Sequence, residues 1–264
     1  MIKLIASDVD GTLIKDSTPD LYPEMVEAIR KLKEKGILFC AASGRQYESL
    51  RNVFRDVADD IAYIAENGAH IRYQNRNISV TPMKQEHIEG ILAMLRPYYG
   101  ECETVISTAN GSLVESKNQE FIDLLTNGYH NTFRQVEDVL KEGAEIIKIA
   151  AYRKSSIREI GERFFIPTWS GRVKACMAGE EWVDFMDRSV DKGNGLKILE
   201  EYLGINKEET MAFGDNGNDV GMLQAAGTSY AVDTAFKEVK EAAGNICPGW
   251  REKGVYQIIC ANFF

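Results

Sequence analysis

The stretch Ile2-Lys3-Leu4-Ile5-Ala6-Ser7-Asp8-Val9-Asp10-Gly11-Thr12 decides the fold. Ile2 to Ser7 is a short, mostly apolar run of strand length, as expected for a strand buried on both faces of a parallel sheet. It ends on two carboxylates, Asp8 and Asp10. Residues two apart in an extended segment point the same way, so the pair shares a direction. Open α/β sheets bind their ligands beyond the carboxyl ends of the strands, which is where these acids fall. Two adjacent carboxylates repel, and they need a cation or a shared proton. A hard cation with oxygen ligands, Mg²⁺, suits them best. Gly11 permits the tight turn out of the strand.

Outward from this stretch, strand and helix patterns alternate. Pro23 opens a helix with Met25, Val26, Ile29 and Leu32 on one face, and Gly36 stops it. Ile37 to Ala42 reads as the next strand. Tyr47, Leu50, Val53, Phe54 and Val57 form a second amphipathic helix, and Ala62 to Ala65 a third strand. The late part alternates in the same way, with a helix from Lys192 carrying Leu196, Leu199 and Leu203, a strand Thr210 to Phe213, a helix Val220 to Ala225 and a strand near Ser229 to Val232. Helical patterns at Phe236 to Ala242 and Val255 to Cys260 follow. Such alternation predicts an α/β fold, a parallel sheet covered by helices.

The middle differs. Helices are expected near Glu86 to Leu95 and Gln119 to Leu125, and strands at Glu145 to Tyr152, Arg172 to Met177 and Glu181 to Phe185. Ala178-Gly179-Glu180 is a hairpin turn between the last two. About a hundred residues cannot form one loop in a compact domain, so they predict an inserted α+β domain. The boundaries fall at 1–81 and 187–264 for the core and 82–186 for the insertion. Lys148, inside Ile146 to Ala150, either points into a cleft or alternates outward.

Three further motifs sit at strand ends or helix starts. Gly214-Asp215-Asn216-Gly217-Asn218-Asp219 follows an apolar strand. Asp215, Asn218 and Asp219 offer oxygens that complete a Mg²⁺ site or support its ligands, or cap the next helix. Ser43-Gly44-Arg45 places a hydroxyl and backbone N–H groups at a helix start, an anion site or a plain cap. Lys192-Gly193 opens a helix with a cation where the dipole favours anions, as a surface residue or as a partner to phosphate. His70, His87 and His130 lack metal-ligand spacing and read as surface or packing residues. The three tryptophans read as packing.

Composition sets the limits. The 264 residues carry 31 Lys plus Arg against 40 Asp plus Glu, a formal charge of -9. That acidity argues against nucleic-acid backbone binding and against anionic membranes. No apolar run approaches the roughly 18 residues of a membrane span, and no signal peptide is expected. Five scattered cysteines without a CxxC pair read as reduced thiols of a cytoplasmic protein. No obligate protein partner is evident.

In order and position, DVDGT at 8–12, SGR at 43–45, KG at 192–193 and GDNGND at 214–219 resemble the haloacid dehalogenase superfamily of phosphohydrolases. The insertion between the Ser and Lys motifs, with Glu66-Asn67-Gly68-Ala69 before it, resembles the Cof-like IIB branch, whose members are often sugar phosphatases. The resemblance implies a Rossmann-like parallel-sheet core with an inserted α/β cap of the C2 type that selects substrate. It implies that Asp8 is the nucleophile and Asp10 the general acid and base. Val9 (through its N–H), Ser43, Gly44, Lys192 and Asn218 would bind phosphate. Asp8, Asp10 (through its carbonyl) and Asp215 would ligate Mg²⁺, with Asp219 orienting the groups around them. Arg45 and Asn67 would contact substrate, and Asp184 stands where relatives often have Glu. The implied activity is Mg²⁺-dependent hydrolysis of a small phosphorylated metabolite, a sugar phosphate, through an aspartyl phosphate. A phosphotransferase or mutase on the same scaffold and a non-catalytic phosphometabolite sensor are the alternatives.

Overall fold

The computed structural model describes residues 1–15, 20–129 and 131–264, so His130 lies outside the described residues. The strands are β1 (Leu4–Ser7), β2 (Leu38–Ala42), β3 (Ala62–Ala65), β4 (His70–Tyr73), β5 (Arg76–Val80), β6 (Glu103–Thr108), β7 (Gly111–Val114), β8 (Phe133–Gln135), β9 (Ile146–Tyr152), β10 (Lys174–Met177), β11 (Trp182–Met186), β12 (Thr210–Gly214), β13 (Thr228–Val232) and β14 (Asn245–Cys247). The α-helices are α1 (Pro23–Glu34), α2 (Tyr47–Val53), α3 (Gln85–Leu95), α4 (Gln119–Asp123), α5 (Arg158–Ile160), α6 (Ile166–Trp169), α7 (Lys192–Leu203), α8 (Val220–Ala225), α9 (Lys237–Ala242) and α10 (Gly254–Phe263). The chain divides into two compact units, Met1–Ser79 with Asp191–Phe264, and Val80–Val190.

In the first unit the sheet runs β14-β13-β12-β1-β2-β3-β4-β5. All pairs from β14 through β3 are parallel, and β3–β4 is antiparallel. From β1 the chain proceeds to β2 and β3 on one side; β12 and β13 lie on the other. Right-handed crossovers therefore put α1 and α8 on opposite faces. The reversal of strand order lies between β1 and β12, so the ends of these two strands border a ready-made crevice. β1 reads LIAS with every residue buried, consistent with helices on both sides. Ile5, Phe39 and Ile64 belong to this core. Burying each such side chain contributes about 1.5–3 kcal/mol. The helix ends follow local rules. Pro23 opens α1, and Asp191 caps α7 by accepting from the Gly193 N–H at 2.8 Å. Gly204, at φ +64°, closes α7 in the left-handed conformation.

The second unit has its own sheet, ordered β10-β11-β9-β6-β7-β8. Its pairs are antiparallel except β7–β8. One face carries Ile106, Ile149 and Phe185 in a core with Ile91 and Leu92 of α3 and Trp169 of α6. Val105, Ala150 and Tyr152 on the other face pack with Phe121 and Leu125. Several elements go beyond the sequence expectation: the β4–β5 hairpin, β6, β7, β8, β14 and the helical stretch 158–169. Among the described residues no helix is long and apolar enough to cross a membrane. All five cysteines are free.

Candidate active site

Asp8 leaves the end of β1, where its N–H donates to the Phe213 carbonyl of β12 at 2.9 Å. The Asp8 Oδ1 atom accepts from Lys192 Nζ at 2.6 Å, while Oδ2 is buried with no hydrogen-bond partner. The same ammonium donates to Asp219 Oδ1 at 2.6 Å, and Lys192 is fully buried. Burial alone would push the lysine's proton affinity down. Asp219 and Asp8 outweigh that effect and hold it above its ordinary value. The lysine at the start of α7 is therefore no surface residue.

Asp215 follows β12 directly. Its Oδ1 accepts from the Thr12 hydroxyl at 2.8 Å, and a carboxylate oxygen from each of Asp8, Asp215 and Asp219 lies within 4.8 Å of the others. Burial first, and then the Asp219 charge, raise the Asp8 carboxyl well above the usual carboxylate range. The same two causes push Asp215 up to about 6, against the Thr12 bond. With all three ionised, one ammonium would leave two negative charges uncompensated, which a divalent cation would balance. The three are not equivalent as ligands. Asp219 has both oxygens engaged: Oδ1 holds Lys192, and Oδ2 accepts the N–H groups of Asp215 and Asn216 at 3.0 Å each. Asp8 keeps an unused oxygen. Gly11, at φ +88°, is required here twice over, because a Cβ would also lie 2.6 Å from Asp215 Oδ2.

Asp10, expected beside Asp8, has a side-chain carboxylate held by Arg45: Nε donates to Oδ2 at 2.7 Å and Nη2 to Oδ1 at 2.5 Å. Val9 between them is fully buried, and its carbonyl closes the turn by accepting from Leu13 and Ile14. The Ser43 hydroxyl accepts the Arg45 N–H at 3.1 Å. The Ser43 carbonyl accepts the Asn67 N–H, and the Arg45 carbonyl accepts the Glu66 N–H. The Ser43-Gly44-Arg45 and Glu66-Asn67-Gly68 segments thus brace one another. Glu66 and Asn67 both take positive φ. Asn218 Nδ2 donates to Asn67 Oδ1 at 2.9 Å, leaving Asn218 Oδ1 buried without a partner. A Cβ on Gly44 would come within 3.2 Å of the Asn67 amide. All the expected core residues therefore gather around the ends of β1, β2, β3 and β12, and β1 and β12 flank the strand-order reversal.

A family model of haloacid dehalogenase-like hydrolases matches residues 5–259. The chain belongs to the haloacid dehalogenase-like hydrolase family. It is 28% identical over 269 residues to the 5-amino-6-(5-phospho-D-ribitylamino)uracil phosphatase YbjI of Escherichia coli, covering 98% of this chain and 95% of that protein. It is 27% identical over 286 residues to the phosphatase of the same name, YwtE, from Bacillus subtilis, covering 98% and 97%. A crystal structure from Eubacterium rectale superposes with a TM-score of 0.88 at 33% identity, covering 98% of each chain. The subclass IIB sugar phosphatase BT4131 shares the fold, with a TM-score of 0.82 at 24% identity and 98% of each chain covered. Membership of this hydrolase family and end-to-end similarity to phosphatases make the chain an enzyme, a phosphatase.

Two contributors to this haloacid dehalogenase-like site escaped the sequence reading. Thr12 lies in the first motif but had no role there; it fixes Asp215. Asp191 caps α7 and so fixes the backbone on which Lys192 sits. An Asp just before a helix start was a legible signal for that cap.

Proposed function

We infer that the chain is a Mg²⁺-dependent phosphomonoesterase that works through an aspartyl phosphate on Asp8. The observation carrying this reading is the asymmetry of the Asp8 carboxylate: one oxygen is held by a buried lysine, and the other is buried and unused. An all-carboxylate donor set with two uncompensated charges fits a hard divalent cation, held by Asp8 and Asp215, with the Asp10 carbonyl as a further ligand. When bound, Mg²⁺ supplies charge that offsets a phosphate dianion brought against Asp8.

Lys192, the Ser43 hydroxyl, the Gly44 and Val9 N–H groups and the Asn218 amide hold the phosphoryl group. Asp8 attacks phosphorus, and the bond to the ester oxygen breaks as Asp10, entering the cycle as the carboxylic acid on an oxygen that Arg45 releases, delivers its proton to that ester oxygen. Water then attacks the aspartyl phosphate and gives a proton to Asp10. Inorganic phosphate leaves, and both carboxyl groups return to their starting states. Asp219 acts by orienting Lys192 and the 215–216 backbone, and Asn67 by holding Asn218. Arg45 governs Asp10 and is placed to contact substrate.

The substrate is a small phosphorylated metabolite, a sugar or polyol phosphate; the phosphoribityl ester in the names of two relatives belongs to that class. Free thiols suit the reducing cytoplasm. The test is Asp8→Asn assayed with 4-nitrophenyl phosphate and Mg²⁺. Loss of turnover by about three orders of magnitude or more supports the reading, and undiminished turnover refutes it.

A further inference from the structure

Lys192 holds the first position of α7, where the helix dipole repels a cation, so its place between Asp8 and Asp219 has to be imposed by its surroundings. The starts of α7 and α8 meet there. A Cβ on Gly193 would fall on the Gly221 carbonyl and lie 2.9 Å from Asp191 Oδ1. A Cβ on Gly221 would run into the Asp191 carboxylate, with Oδ1 nearest, Cγ at 3.1 Å and Oδ2 at 3.2 Å. The Asp191 side chain is thus wedged between the two helices. It cannot swing aside without giving up the cap, because Oδ1 accepts the Gly193 N–H at 2.8 Å. The Asp191 backbone is held on its other side. A Cβ on Gly68, at φ +102°, would lie 2.5 Å from the Asp191 carbonyl oxygen, which accepts the Gly195 N–H at 2.9 Å.

A helix cap by itself needs only an acceptor at position 191; it does not call for glycine in the neighbouring helix. Glycine is the poorest helix former after proline, yet it occupies the second position of both α7 and α8. What the two glycines give is close approach. Lys192 lies between Asp191 and Gly193, and Asp219 precedes Gly221 by two residues. The separation of the two helix starts is therefore also the separation of the lysine backbone from Asp219. At the observed separation the ammonium reaches Asp8 and Asp219 at 2.6 Å each. Displacing a charge of this kind by about 1 Å can lower turnover about 10²-fold.

We propose that Asp191 and Gly221 are positioning residues for this site: the Asp191 carboxylate, seated against the bare Cα of Gly221, holds α7 and α8 at the separation that sets Lys192 against Asp8 and Asp219. The effect on turnover rests on the phosphatase reading; the placement of the ammonium does not. The experiment compares wild type with Gly221→Ala, Asp191→Ala, Asp191→Asn and the double variant Asp191→Ala/Gly221→Ala. All are full chains with Mg²⁺, held at a temperature where circular dichroism shows them folded. It measures kcat and KM for 4-nitrophenyl phosphate. It also follows the Lys192 ammonium by magnetic resonance in protein carrying isotope-labelled lysine, the signal being identified by its loss in Lys192→Met. Gly221→Ala should lower kcat at least about tenfold and shift the ammonium signal. The added methyl has no carboxylate to strike once Asp191 is alanine, so the double variant should be no slower than Asp191→Ala alone. Asp191→Asn keeps the acceptor and the shape, and should recover most of what Asp191→Ala loses. Full kcat in Gly221→Ala overturns the proposal, as do losses that simply multiply in the double variant. If Gly221→Ala does not fold, Asp191→Ala against Asp191→Asn carries the test, and an ammonium signal unmoved by the alanine overturns the proposal. If wild type hydrolyses nothing, the phosphatase reading has failed instead, and the ammonium decides. A signal displaced in Gly221→Ala and no further displaced in the double variant than in Asp191→Ala supports the positioning role, and an unmoved signal overturns it.

Discussion

Arg45 grips both carboxylate oxygens of Asp10, at 2.7 and 2.5 Å, across 35 residues of sequence. A planar guanidinium matched to a carboxylate is a strong, directional pair, and lysine cannot reproduce it. Arg45 therefore sets where Asp10 points, and it must yield one oxygen for Asp10 to meet a leaving group.

This pair yields a leaving-group test. Asp10→Asn should lower kcat by about 10²–10⁴, as expected for loss of general acid–base catalysis. The loss should be larger for an alkyl phosphate, whose alkoxide needs a proton, than for 4-nitrophenyl phosphate. Arg45→Ala should lower kcat/KM about tenfold, with Arg45→Lys recovering little. Equal losses on alkyl and aryl esters for Asp10→Asn would remove Asp10 from the acid role.

Lys192 supports a stability test. Its ammonium is fully buried between Asp8 and Asp219, so Lys192→Met strands two buried carboxylates. Removing one partner of a buried ion pair typically costs about 3–5 kcal/mol. Urea unfolding of the variant should show a loss of that order, with no measurable turnover. A variant as stable as wild type would mean that the buried charges are neutralised in some other way.

The carboxylate cluster gives a ligand test. Millimolar Mg²⁺ should raise the melting temperature of wild type by a few degrees, since ligand at about ten times its Kd adds about 1.4 kcal/mol. Asp215→Asn should abolish the rise, and EDTA should reverse it in wild type. A rise that survives in Asp215→Asn would place the cation elsewhere.

His70 carries the pH prediction. By sequence it reads as a surface or packing residue. It is buried, with Nε2 paired to Asn77 Oδ1 at 2.9 Å, and burial holds its imidazole below the ordinary value of 6.5 despite that bond. The folded protein thus keeps His70 neutral where the unfolded chain takes up a proton. Its contribution is fully present above about pH 6.5 and is lost as pH falls from there towards the lowered folded value, with a slope of at most about 1.4 kcal/mol per pH unit. Chemical unfolding at about pH 7.5, 6 and 5 should show wild type losing more stability than His70→Gln. Parallel losses would contradict the assignment.

What the sequence discloses and what it hides have physical causes. β1, β2 and β12 are buried on both sides, so their apolar runs and terminal acids are legible without any partner. The β4–β5 hairpin is not, because its strands carry Arg72, Arg76 and Asn77. Its turn also uses Gln74 and Asn75 at positive φ with no glycine to mark it. β6 and β7 had a readable signal in Asn110-Gly111, with Gly111 at φ +108°. The stretch 158–169 contains Gly161 and Pro167, which weaken any helical reading; burial of Phe165 and Trp169 holds it in place. Asp8, Asp10, Ser43, Lys192 and Asp215 could each be picked out at a strand end or helix start. The grip of Arg45 on Asp10 and the pairing of β6 with β9 depend on strand order and register, which periodicity does not encode.

The most direct measurement of the central claim is chemical trapping at Asp8. Wild type would be quenched during turnover of a phosphate ester and reduced with borohydride, which converts an aspartyl phosphate to homoserine. The peptide containing residues 2–12 would then be sequenced by mass spectrometry. The account predicts homoserine at position 8 in wild type, and none when substrate is omitted or in Asp8→Asn. Reduction at another carboxylate, or full turnover with no trapped residue at position 8, would contradict it.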